Sequence, residues 1–119
     1  MTTRYYTAVD DLLINLDQSA RTLFGRPAIS GRPNPAATAP PDELPPEAQR
    51  RAGRLMRVNH TGEVCAQALY QGQALTARLT AVRDRMEQAT VEENDHLAWC
   101  AMRLQELDSR PSVLNPLFY

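Results

Sequence analysis

The sequence predicts an all-α fold, on three observations. Apolar residues recur at helical spacing in three separate stretches, each bracketed by residues that start and stop helices. Seven of the nine prolines fall in one tract between the first stretch and the second. Only a short connection separates the second stretch from the third. With 119 residues the chain is at most one ordinary domain. Its net charge of −1 gives no argument for nucleic acid, and arginine supplies every cationic side chain. Cys65 and Cys100 lie in helical stretches without CxxC spacing, which favours reduced thiols over a disulfide framework. The N-terminus carries acids inside its apolar stretch and does not read as a secretory signal. No apolar run approaches the roughly 20 residues that span a bilayer.

Three regions are expected. Residues 1–25 hold an amphipathic helix: Thr7 and Asp10 have capping-box spacing, and Val9, Leu12, Leu13, Leu16, Ala20 and Leu23 share one face. Gly25 and Pro27 end it. Residues 26–45 form an extended, proline-rich linker, because proline denies the backbone regular hydrogen bonding. Residues 46–119 carry the rest.

Pro46 suits a first helical position, and a long helix is expected to about Arg78. At about 100° per residue, Ala52, Met56, Asn59, Ala66, Tyr70, Ala74 and Ala77 fall near Glu63. Arg50, Arg54 and Arg57 fall opposite, on a solvated face that could touch anionic headgroups. Gly53, Gly62 and Gly72 suggest close packing or local distortion. A further helix is expected from about Ala81 to Leu107, capped by Thr80 and ended by the DSRP stretch. Around it, Val82, Met86, Ala89, Leu97, Cys100, Leu104 and Leu107 cluster near Glu93, with His96 on the same stripe. Asn115 as cap and Pro116 then open a last helix.

Three ionisable groups, Glu63, Glu93 and His96, thus sit on two apolar stripes. Facing carboxylates in a dry interface are costly unless protonated, paired with arginine, or bridged by a shared cation. The arginines of the second helix point away. Glu-x-x-His places both side chains on adjacent turns of one face, where they can chelate one ion, and this donor set suits iron or manganese. Alone the motif is weak; the matching Glu63 strengthens it. A zinc site from His60, Cys65, His96 and Cys100 ranks below it, because the His60–Cys65 spacing is awkward on a helix. Asn59, His60, Tyr70, Glu92 and Asp95 are candidates to support the ligands. The plainer expectation makes His60 structural, Tyr70 and Cys100 core residues, and Glu92 and Asp95 solvated.

The stretches LMRVNHTGEVCAQALYQGQALTAR, EENDHLAWC and RPSVLNPLFY together closely resemble the bacterial demethoxyubiquinone hydroxylases of ubiquinone biosynthesis. The resemblance runs from the N-terminal YYTAVDDLLINLDQSARTL to Tyr119, the linker matching only in character. It implies a ferritin-like bundle with a carboxylate-bridged di-iron centre. Glu63 and Glu93 would be iron ligands, Glu93 the bridging one, and His96 would supply imidazole to one iron. It also implies O₂-dependent hydroxylation of a polyprenyl methoxy-methyl benzoquinol, the penultimate ubiquinone step. Peripheral attachment at the cytoplasmic face of the inner membrane goes with that substrate.

Family members continue past NPLFY into a second helical pair with another Glu and another Glu-x-x-His. The chain is therefore expected to be a truncated N-terminal half carrying half the ligands of two iron ions. A homodimer could supply Glu63, Glu93 and His96 twice. Competing functions are a non-catalytic helical hairpin that dimerises or binds a partner, and a metal-binding or storage-type bundle.

Overall fold

The computed structural model describes residues 5–40 and 43–119. The first four residues, Pro41 and Asp42, which the regional expectations include, lie outside the described residues. Four helices follow in order: α1 Ala8–Phe24, α2 Pro46–Thr76, α3 Thr80–Glu106 and α4 Asn115–Phe118. Among the described residues there is no strand, and the fold is all-α as expected.

The start of α1 is the expected capping box. Thr7 Oγ1 accepts from the Asp10 amide at 3.3 Å while Asp10 Oδ2 accepts from the Thr7 amide at 2.8 Å. Helix α2 begins with Pro46 at its first position and ends at Thr76, two residues short of expectation. Thr80 is the first residue of α3 rather than its cap; Leu79 holds the cap position with no side-chain hydrogen bond. Asn115 likewise starts α4 instead of capping it, because its side chain is engaged elsewhere.

Helices α2 and α3 form an antiparallel pair, joined through Leu79. Gln49 donates to the Leu107 carbonyl at 3.2 Å, Asn59 donates to Cys100 Sγ at 3.5 Å, and Gln67 donates to Asn94 Oδ1 at 2.8 Å. Partners thus descend α3 as they climb α2. A small apolar core of Val64, Leu97, Cys100, Leu104 and Leu107 lies along this seam. Each fully buried leucine contributes about 1.5–3 kcal/mol.

The buried face of α2 is not the expected stripe. Gly53, His60, Val64, Gln67 and Gln71 are buried, centred about 70° around the helix from Glu63. Most of the expected stripe is half-buried at the margin, and Asn59 is exposed. The displacement has a physical cause: three of the buried residues are polar and hydrogen-bonded, so hydropathy misplaces the face. On α3 the expected stripe is buried from Leu97 to Leu107, whereas Val82 is exposed.

The C-terminal end of α3 closes by a Schellman turn. Ser109 N donates to the Leu104 carbonyl at 2.8 Å and Asp108 N to the Gln105 carbonyl at 3.0 Å, with Asp108 at φ 52. Arg57 leaves the solvated face assigned to it: Nε donates to the Arg110 carbonyl at 2.9 Å and Nη2 to Ser109 Oγ at 3.2 Å. Helix α1 packs by its polar edge. Ser19 Oγ lies 2.9 Å from the Tyr119 hydroxyl, which also donates to Gln71, and Thr22 is buried. Its apolar face points outward, leaving Val9, Leu12, Leu13 and Leu16 all more than half exposed.

Gly53 is the close-packing glycine. A Cβ there would lie 3.0 Å from Ser109 Cβ, whereas nothing lies within 4 Å of a Cβ at Gly62 or Gly72. Ser109 is held by the Schellman turn and Arg57, so it has little room to yield. Gly72→Ala should therefore raise stability by about 0.5–1 kcal/mol through helix propensity. Gly53→Ala should lower it despite the same propensity gain. Chemical denaturation of the two variants checks this contrast, and equal shifts would contradict the packing account.

Candidate functional site

Glu63 projects from the middle of α2, and Glu93 and His96 project from α3 directly across the seam. His96 Nδ1 lies 3.4 Å from Glu93 Oε2 and 3.7 Å from Glu63 Oε2. One donor atom from each of the three residues can be chosen so that all lie within 4.8 Å of one another. Among the described residues this is the one such group of His, Cys, Asp and Glu side chains. The expected convergence is present, although on the rim of the α2 packing face rather than at its centre.

The electrostatics follow from this placement. Burial, together with the Glu93 carboxylate beside it, pushes the Glu63 carboxyl up to about 7, and the neighbouring histidines only partly offset the rise. Glu93 Oε2 is buried and makes no hydrogen bond, although His96 Nδ1 lies 3.4 Å from it. A buried carboxylate oxygen left bare is expensive, and a cation is one of the few groups that would satisfy it together with Glu63 and His96. Two hard carboxylates and one imidazole Nδ1 facing a common point fit a first-row metal such as iron.

The supporting candidates are dispersed. His60 is buried, and its Nδ1 lies 3.4 Å from Asn115 Nδ2, while Asn115 Oδ1 accepts from Thr61 at 2.9 Å. Burial lowers the His60 pKa, so the ring is a neutral packing element between α2 and α4. Asn59 binds the sulfurs of Cys100 and Met56 rather than the carboxylates. Tyr70 is half-buried. Glu92 is exposed and accepts from Gln88 at 3.3 Å. Asp95, expected in solvent, is 2% exposed. Its hydrogen bonds run to Ser30 of the proline-rich segment, at 2.8 and 2.7 Å.

The four residues of the zinc alternative do not converge. Cys65 is exposed, with its thiol 3.7 Å from the Phe118 carbonyl. Cys100 is buried, and its thiol is pushed up by burial and then by the Glu63 and Glu93 carboxylates, which disfavours the thiolate zinc requires. Two buried amides escaped the sequence reading. Gln67 Oε1 and Gln71 Nε2 are without partners in the α2 interface, and only the Glu63-to-Gln67 spacing of one turn hinted at the first.

The raised Glu63 pKa predicts a pH effect on the metal-free chain. A proton is held more tightly in the folded state than at the ordinary value of 4.5, so the Glu63 contribution is full below pH 4.5. It is lost as pH rises to about 7. The stability of the wild type relative to Glu63→Gln should fall across that window and stay flat above it. Melting curves of both proteins across the range check it; a difference independent of pH would contradict the placement of the charge.

Comparison with known proteins gives one consistent result. A family model described as "Ubiquinone biosynthesis protein COQ7" matches residues 50–119, which include all of the Glu63, Glu93 and His96 cluster. The chain is 59% identical over 116 residues to the 3-demethoxyubiquinol 3-hydroxylase of Ectopseudomonas mendocina, covering 98% of this chain and 54% of the relative. The protein of that name from Azotobacter vinelandii shows the same identity and coverage, and that from Pseudomonas fluorescens is 55% identical over 118 residues. No solved structure matches. The chain thus spans about half the length of the curated relatives it matches. Helical architecture, the matched segment and the extent of identity converge, and the chain belongs to the COQ7 family of ubiquinone biosynthesis proteins.

Proposed function

We propose that this chain carries one half-set of the ligands of a di-iron hydroxylase acting on a demethoxyubiquinol. The observation that carries the reading is the convergence of Glu63, Glu93 and His96 around the bare buried oxygen of Glu93. Relatives named 3-demethoxyubiquinol 3-hydroxylase support the substrate class. Glu93, the more enclosed carboxylate, would be the shared ligand if two ions are bound, and Glu63 and His96 would be further ligands. Iron, when bound, supplies the activation of O₂, one atom of which enters the quinol ring while the other leaves as water with two electrons from a reductant. The chain's own part is to hold two carboxylates at close range and to orient one imidazole toward both. A second set of such ligands would come from further chain of the kind the longer relatives possess, or from a second copy.

Anaerobic titration with iron(II) tests the ligand set. Glu93→Ala should abolish retention and His96→Ala should weaken it, while Cys100→Ala should leave stoichiometry unchanged. Retention untouched by Glu93→Ala would overturn the assignment, and loss on Cys100→Ala would restore the sulfur alternative. With O₂, a reductant and a short-tailed demethoxyubiquinol, the hydroxylated quinol should form only when the iron site is complete. Iron retention without product under those conditions would favour the storage-type reading.

The reading extends to a membrane surface, at the cytoplasmic face of the inner membrane, as the source of so apolar a substrate. No helix of the described residues is long and apolar enough to cross a membrane. Helix α1 instead presents Val9, Leu12, Leu13 and Leu16 to solvent in one stripe, the pattern of an interfacial helix. Leu12→Glu with Leu16→Glu should reduce co-sedimentation with phospholipid vesicles while preserving helix content. Undiminished binding would contradict attachment through α1.

A further inference from the structure

Asp95 stands on the side of α3 turned away from Glu93, roughly 160° around the helix, yet it is almost completely enclosed. Ser30 and Arg32, far earlier in the chain, enclose it. The Ser30 amide donates to Asp95 Oδ1 at 2.8 Å, its hydroxyl donates to Oδ2 at 2.7 Å, and Arg32 Nε lies 3.4 Å from Oδ2. Burial alone would raise the Asp95 carboxyl, but the two Ser30 bonds and the Arg32 charge outweigh it and keep it below the ordinary carboxylate range. Gly31 lies between them at φ 87, a backbone angle that glycine adopts freely and that lets both neighbours face one carboxylate. The proline-rich segment is therefore fastened at this point, and beyond it the chain turns instead of running extended as expected, with the Ala37 amide donating to the Asn34 carbonyl at 2.9 Å and the Ala39 amide to the Ala36 carbonyl at 3.0 Å.

The fastening leads toward the site. Trp99 lies one turn beyond Asp95 on the same face of α3. The Arg32 guanidinium sits 5.0 Å from the centre of the Trp99 ring, a cation–π distance. The indole also lies 5.5 Å from the His96 imidazole, centre to centre, with the planes inclined at 46°. Contact thus passes from Asp95 to Arg32, from Arg32 to Trp99, and from Trp99 to His96.

We propose that Ser30, Arg32 and Asp95 form a clasp that positions His96, with Arg32 holding Trp99 against the imidazole so that Nδ1 faces Glu63 and Glu93. The metal-binding role of His96 rests on the function proposed above; the clasp does not. Arg32 and Asp95 are positioning residues, and neither touches the carboxylates of the site.

The chain contains two histidines and one tryptophan, so each ring can be followed by nuclear magnetic resonance with little ambiguity. Spectra are taken on the metal-free full chain well above pH 6.5, where unperturbed imidazoles are neutral. Arg32→Ala should shift the ring C–H signals of His96 and the indole N–H of Trp99, and leave those of His60 in place. Arg32→Lys, which keeps a cation over the indole, should restore part of the shift, a rescue that loss of general packing would not produce. Hydrogen exchange at the Ser30 and Arg32 amides should quicken in Arg32→Ala and in Asp95→Asn. Unmoved His96 signals in Arg32→Ala would overturn the proposal. If Asp95→Asn unfolds, the Arg32 pair still decides, because that side chain is 46% exposed and dispensable to the core. Iron(II) added to the wild type separates the two claims. Failure to broaden the His96 signals would remove its metal role while leaving the clasp intact.

Discussion

Two carboxylates held side by side across a helix seam are the constraint on which the rest of the structure depends. Glu63 and Glu93 repel when both are ionised, and partial burial strips away the water that would screen them. The chain accommodates the pair in three visible ways. Glu63 sits at the rim, where solvent still reaches it, and takes up a proton easily. His96 Nδ1 faces both acids. Beyond Val64 and Leu97 the apolar core continues along the seam to Cys100, Leu104 and Leu107, while the acids keep to the rim and need not be fully dry. A helix pair built only for stability would place aliphatic residues there.

The remaining features keep that pair in register. The close approach at Gly53, the Schellman turn and the Arg57 contacts lock the start of α2 to the end of α3. Tyr119 ties α1 to α2, and Asn115 ties α4 to the buried His60. These contacts border the acids without satisfying them, so Glu93 Oε2 makes no hydrogen bond, and neither do Gln67 Oε1 and Gln71 Nε2 in the same interface. Outward-facing α1 leucines and a half-buried α2 margin remain uncovered in a chain that spans about half the length of the relatives it matches.

Much of this was legible in the sequence, and the failures share a cause. The Thr7–Asp10 box, Pro46 and the helix-ending residues act locally, so helix type and approximate extent could be read from neighbouring residues alone. Glu-x-x-His and Glu63 could be placed on facing helices because their spacing is periodic. The rotation of α2 could not be read, since His60, Gln67 and Gln71 look like surface residues until their partners are known. Asp95 was misassigned to solvent for the same reason: its partner Ser30 is 65 residues away. Thr80 and Asn115 have the chemistry of caps, but adjacent Leu79 and Leu114 took those positions. Local rules set the elements, while long-range hydrogen bonds decided which polar residues were buried.

Glu63, Glu93 and His96 are proposed to form one metal-binding unit. Anomalous diffraction at the iron edge, from crystals of the chain grown with iron(II), tests it most directly. An anomalous peak is expected within bonding distance of all three side chains, with Nδ1 as the histidine donor. A peak at Cys100 or elsewhere, with the three side chains left unligated, would contradict it.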